Sequence, residues 1–211
     1  MKLAISGRMC SGKSHVRKAL EAHGLEAVSL AAPLKQLADI AIKGQPHDAL
    51  HVLEYLTQDN YYASQMYAEW YRLSHDWEVE LESGNKPRHF LQELGTAMRS
   101  HPGFDTIFID SLLRSCAVGD YVCDDLRYEN EAVAFQKDGW LLVRCSVPED
   151  VRRERCIKLY GKCGDEQNHP TETDLNDWAG WDYVLDTSCP LAEQSKLVDD
   201  MMECLYYGSP A

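Results

Sequence analysis

The 211-residue chain has no cysteines in C-x-x-C spacing, no apolar run near the ~20 residues of a membrane span, and no basic excess. Each lack excludes something. The eight cysteines, Cys10, Cys116, Cys123, Cys145, Cys156, Cys163, Cys189 and Cys204, read as free thiols rather than a disulfide framework, with a zinc site drawn from distant members as the weaker reading. No membrane partner is expected. With 34 acidic against 21 basic residues the formal net charge is -13, which argues against a general nucleic-acid binder. It does not argue against phosphate binding, which needs only a local basic cluster in a cleft, with the acidic excess spread outside. One lysine precedes the first motif where a leader would carry a charged and then apolar stretch, so no signal peptide is expected and a cytoplasmic location follows. The chain has no internal repeat, no low-complexity tract, and no N-K-x-D signature of a guanine switch. Hydrophobic residues make up 45 %, enough for an ordinary core, so one α/β domain is expected, with at most a small mobile insertion.

What is present begins at once. Gly7-Arg8-Met9-Cys10-Ser11-Gly12-Lys13-Ser14 fits G-x-x-x-x-G-K-[ST], between a short apolar strand, Leu3 to Ile5, and a helical pattern, Val16 to Ala22. The glycines let successive N–H groups point inward at phosphate oxygens, and the following helix adds the positive end of its dipole. Lys13 can reach the β- and γ-phosphates and the Ser14 hydroxyl can ligate Mg²⁺. A nucleoside triphosphate, ATP, is thus expected at the top of the first strand. Cys10 reads as a spacer whose backbone matters more than its thiol, although the positive loop would favour a thiolate.

Beyond the loop, strands and helices alternate. Strand patterns fall at Lys2 to Ser6, Leu25 to Leu30, Tyr121 to Cys123, Trp140 to Cys145 and Trp181 to Leu185. Helical patterns fall at Pro33 to Ile42, Arg88 to Arg99, Phe104 to Cys116, Glu129 to Lys137, Pro148 to Leu159 and Leu191 to Tyr206. Residues 48 to 82 carry helical periodicity and a stripe of aromatics, read as packing between helices rather than base stacking. The alternation implies a mainly parallel sheet covered on both faces, with ligands beyond the carboxyl ends of its strands.

Four further groups carry chemistry. Asp124 and Asp125 end an apolar strand, where a Walker-B-like acid would hold Mg²⁺ or its water; one could instead accept a proton, bind a sugar hydroxyl, or cap the next helix. Arg127 can fork onto phosphate oxygens. Gln92, Thr96 and Arg99 share one helical face and suit a small phosphate-bearing ligand, or are simply a solvated face. Lys35, one turn into its helix, could face an acceptor phosphate. Arg152 and Arg155, three apart and followed by Lys158, Lys162 and a polar segment to Asn168, read as a lid that closes over transferring phosphates. The plain alternative is surface pairing with Glu149, Asp150 and Glu154.

Together these blocks resemble the bacteriophage-type deoxynucleoside monophosphate kinases, within the P-loop NMP-kinase-like group. Ile5 to Ser14, Ala31 to Lys35, Leu91 to Thr96 with Arg99, Asp124 to Ala132, and His169 to Glu172 with Leu175 and Asp177 carry the likeness, and D-x-R-[YF]-x-N-E is its most discriminating part. The resemblance implies a three-layer P-loop NTPase sandwich: a single domain over 1–211, a helical acceptor-binding region at about 36–100, and a lid at about 150–172. It implies ATP and Mg²⁺, with Gly7 to Ser14 holding the donor phosphates and Ser14 and Asp124 serving the metal. Lys13, Asp124, Asp125, Arg152 and Arg155 would act in catalysis. Lys35, Arg99 and Arg127 would grip the acceptor monophosphate, and Gln92 and Thr96 would line its pocket. Partners would be small nucleotides in the cytoplasm, that of the host for a phage-encoded protein; a homodimer is compatible with this. His15, Thr171 and Asp186 depart from the family pattern, where threonine, serine and asparagine are usual. Another acceptor, such as dephospho-coenzyme A, or a non-enzymatic nucleotide-binding module are the competing readings.

Overall fold

The computed structural model describes residues 1–161 and 173–207, which form two compact units: Met1–Ser29 with Cys116 onward, and Leu30–Ser115. In the first unit five parallel strands run in the order β2-β3-β1-β4-β5. They are β1 (Lys2–Ser6), β2 (Glu26–Val28), β3 (Tyr121–Cys123), β4 (Leu141–Ser146) and β5 (Tyr183–Asp186). Parallel strands need long crossovers, and this unit supplies helices α1 (Lys13–Ala22), α8 (Glu129–Lys137), α9 (Glu149–Tyr160) and α10 (Leu191–Tyr207).

The central strand β1 is buried on both faces, as its unbroken apolar run Leu3-Ala4-Ile5 requires. Alternation divides the rest. Leu3, Ile5, Val143 and Cys145 pack with Val16 and Leu20 of α1 and with Val198, Met201 and Met202 of α10. On the other side, Phe135 of α8 meets Trp140 with ring centroids 4.7 Å apart. The register pairs Ala4 with Cys123 and Ser6 with Arg144, so the loops after β1, β3 and β4 leave the sheet at neighbouring places on one edge.

The second unit is helical: α2 (Ala32–Lys43), α3 (Pro46–Thr57), α4 (Asn60–Asp76), α5 (Glu78–Glu82), α6 (Arg88–Ser100) and α7 (Ile107–Ser115). The long periodic stretch at 48–82 is therefore three helices. Asp59 makes the first break: its carboxylate accepts the backbone N–H groups of Tyr61 and Tyr62 and so starts α4. The aromatic stripe divides. Trp70 is buried and its indole N–H donates to the Leu37 carbonyl at 3.0 Å, and Tyr67 and Trp77 lean on the same core. Tyr55, Tyr61 and Tyr71 stand exposed.

Candidate active site

The loop between β1 and α1 has a backbone that few sequences adopt. Gly7, Cys10 and Gly12 all have positive φ, at 152°, 67° and 93°. At Gly7 a Cβ would lie 2.5 Å from the Ser11 hydroxyl and 2.7 Å from the Cys145 carbonyl oxygen, so only glycine fits. Cys10 holds a left-handed conformation without that exemption, a strain of about 1–2 kcal/mol in general terms. Gly12 is the N-cap of α1 and offers no side chain to its first-turn amides; no acidic residue lies in that turn either. The helix start is thereby left to an external anion. Lys13 is 9 % exposed, and its ammonium donates to the carbonyls of Gly7 and, at 3.0 Å, Arg8. The ammonium is thus held against the carbonyls at the start of its own loop. The Ser14 hydroxyl-bearing residue is exposed at the mouth.

A shell that the motif does not contain fixes this loop. Thr187, fully buried just after β5, has its hydroxyl 2.6 Å from the Ser11 carbonyl and 2.9 Å from that of Ser146. Gln194 of α10, also fully buried, donates to the Thr187 carbonyl at 3.0 Å, and its amide oxygen lies 3.3 Å from where a Cβ on Gly12 would be. Beneath Gly7, burial pushes the Cys145 thiol up to about 12, so it remains a neutral packing group.

Arg152 and Arg155 of α9 face two different loops. Arg152 is buried, donates to Glu149 at 2.6 and 2.8 Å, and reaches the Met9 carbonyl at 3.3 Å. The hydrogen bond from Arg152 is the largest cause holding the Glu149 carboxyl below its ordinary range. Glu149 also pairs with Arg8 at 3.2 Å. Arg155 reaches the carbonyls of Thr187, Ser188 and Cys189 at 2.7, 3.2 and 3.1 Å. Both guanidiniums thus hold backbone around the phosphate loop. Lys162 and the segment His169 to Glu172 lie outside the described residues.

Past β3, Asp124 accepts from Arg17 Nε at 3.1 Å, and Asp125 accepts from the Ser29 hydroxyl at 2.6 Å. Neither caps α8. Glu131, a buried carboxylate, accepts the backbone N–H groups of Arg127 and Tyr128 at 2.9 and 3.1 Å, and Asp174 accepts that of Glu129, the first residue of α8, at 2.9 Å. The donor set suits Mg²⁺: an exposed hydroxyl at the start of α1 and a half-buried carboxylate at the end of an adjacent strand, both oxygen ligands. Among the described residues no three His, Cys, Asp or Glu side chains group as a metal cage.

Arg127 lines a shallow open cleft together with Ser6, Gly7, Arg8, Arg144 and Asn176. Sequence reading passed over Arg144, yet a signal existed: it is the one charged residue in the apolar run Leu141 to Cys145. Thr187 and Gln194 carried no such signal, since tertiary neighbours alone give them their role.

In the helical unit, Gln92 and Thr96 are exposed on α6, and Arg99 shares their face. Arg99 lies 4.8 Å over the Phe108 ring and donates to the Gly95 carbonyl at 3.3 Å. Lys35 is exposed near the start of α2.

The fold is that of the P-loop kinases: a five-stranded parallel sheet flanked by helices, with the phosphate loop after β1. Among solved structures, shikimate kinase from Aquifex aeolicus vf5 is similar at a TM-score of 0.52 and 18 % identity, covering 99 % of this chain and 100 % of that one. A gluconokinase from Sinorhizobium meliloti 1021 matches at 0.49 and 15 %, covering 99 % and 97 %. The chain matches no protein-family profile and no curated protein. No helix among the described residues is long and apolar enough to cross a membrane.

Proposed function

We propose that this chain is an ATP-dependent kinase that phosphorylates (deoxy)nucleoside monophosphates to diphosphates. The observation that carries the reading is the loop from Gly7 to Ser14, with Lys13 buried at its centre and α1 opening without a side-chain cap. Backbone amides there suit the donor's β- and γ-phosphates, and the Lys13 ammonium would exchange its loop carbonyls for phosphate oxygens. Mg²⁺, held by Ser14 and Asp124, would supply charge neutralisation on those oxygens.

For the acceptor, Arg127 opens into the cleft beside Gly7, and the D-x-R-Y-x-N-E block in which it sits supports a nucleoside monophosphate. Lys35, Gln92, Thr96 and Arg99 are proposed as acceptor residues on the family resemblance. A phosphate oxygen of the acceptor attacks the γ-phosphorus, the bond to the β–γ bridging oxygen breaks, and its electron pair leaves with ADP. The acceptor is already ionised, so no strong base is required, and catalysis is positioning plus charge stabilisation. Arg152 acts as a positioning residue, through Met9, and Arg155 through the 187–189 carbonyls. A coupled assay of ATP against the common dNMPs and NMPs tests the reading. ADP release with at least one nucleotide supports it; ATP binding with transfer to none overturns it.

A further inference from the structure

The cleft at the edge of β1 and β4 is lined by three arginines from three separate segments. Arg8 comes from the phosphate loop, Arg127 from the turn after β3, and Arg144 from within β4. Ser6 and Arg144 are partners in the strand register, so the last rung of the central strand sets the spacing between the loop's entry and that guanidinium. Arg144 is held in place by neutral acceptors: its Nη1 donates to the Leu175 carbonyl at 2.6 Å, its Nη2 lies 3.4 Å from the Asn176 amide oxygen, and the Trp181 ring centroid is 5.5 Å away. Arg8 shares Glu149 with Arg152, one carboxylate between two cations. Burial and then the Arg8 cation lower the pKa of Arg144, so like charges stand close enough to repel. In a chain of net charge -13, such a gathering is the reverse of the average surface.

We infer that this cleft is an oxyanion pocket that receives the charged group of the acceptor, with Arg144 and Arg8 joining Arg127 as residues that determine acceptor specificity. The inference rests on the kinase reading above. Forked guanidiniums suit a planar or tetrahedral oxyanion with two or more exposed oxygens, and the Asn176 amide adds a neutral polar edge. The pocket adjoins Gly7, so a group seated in it lies beside the donor loop rather than apart from it. A phosphate monoester and a sugar-acid carboxylate share this chemistry, and binding separates them.

Calorimetry on the full chain without ATP would use the four common deoxynucleoside monophosphates, inorganic phosphate, thymidine and D-gluconate as probes. Expected is binding of at least one monophosphate and none of thymidine. Arg144→Gln should weaken the monophosphate at least ~10-fold, the loss of one charge-assisted hydrogen bond, with the ATP dissociation constant within about two-fold of wild type. Because Arg144 also anchors Leu175, Arg144→Lys serves as the second variant: it keeps one cation and one donor but loses the fork. It should weaken the monophosphate about 3- to 10-fold at an unchanged melting midpoint. Monophosphate affinity unchanged in folded Arg144→Lys and Arg144→Gln overturns the pocket while leaving the kinase reading intact. Gluconate binding that Arg144→Gln abolishes upholds the pocket and overturns the nucleotide acceptor.

Discussion

The hydroxyl of Thr187 lies 2.6 Å from the carbonyl oxygen of Ser11, joining the end of β5 to the loop between β1 and α1 across 176 positions of sequence. Neither atom meets solvent, since Thr187 is fully buried and Ser11 is 1 % exposed. Thr187→Val preserves shape and removes the hydroxyl donor from the buried Ser11 carbonyl, while the Ser146 carbonyl keeps the Thr187 backbone N–H at 2.8 Å. Stability should fall by about 1–3 kcal/mol, seen as a lower urea midpoint at unchanged slope, and ATP affinity should fall with it. A variant as stable as wild type would show the contact to be incidental.

Lys13→Ala should reduce phosphoryl transfer by at least ~10²-fold, because the one ammonium inside the loop is lost. The fold should persist, as the ammonium bonds to carbonyls of its own loop. Circular dichroism and steady-state turnover, measured side by side, check both halves; turnover near wild type removes the loop from the chemistry.

Gly7→Ala places a Cβ 2.7 Å from the Cys145 carbonyl oxygen at a φ of 152°. Backbone cannot yield cheaply there, so a loss of about 1–3 kcal/mol is expected together with loss of ATP binding. Chemical denaturation and nucleotide titration of the same variant test it.

Arg127→Ala should raise the acceptor KM by about 10-fold or more while leaving the KM for ATP within about two-fold. Equal effects on both substrates would place Arg127 outside the acceptor's contacts.

Glu149 gives a pH signature. Its folded pKa lies below the ordinary carboxylate value, chiefly through the hydrogen bond from Arg152. The stabilisation is therefore present in full above the unfolded pKa, near ~4.3, and is lost as pH falls through the lower folded value. Glu149→Gln should melt below wild type at about pH 6, and the gap should close toward about pH 3. A gap independent of pH would show that the ion pair contributes nothing. The carboxylate is half exposed, so salt should narrow the gap as well.

Much of the frame could be read from local pattern. The stretch Leu3 to Ser14 announces itself because phosphate binding needs contiguous backbone, and contiguous backbone is what a sequence writes down. Apolar runs placed the five strands, and Pro33 marked the start of α2, which ends at Gly44 with φ 63°. Residues 48 to 82 read as one helical stretch because side-chain periodicity continues across Gln58 and Asp59; the break is a backbone event, set by a positive φ and an aspartate cap. Asp124 and Asp125 looked able to cap α8, yet Glu131 from within the helix and Asp174 from 45 positions beyond Glu129 accept the amides at its start. Arg144 and Thr187 were illegible for a different reason: they act on residues 31 and 176 positions away, and Gln194 supports the loop through Thr187.

The pairing of Ser6 with Arg144 makes the sheet a ruler. Adding a single residue to β4 ahead of that rung would exchange the faces shown by Arg144 and Cys145, driving a guanidinium under Gly7 and a thiol into the cleft. The count of residues inside the strand is therefore locked.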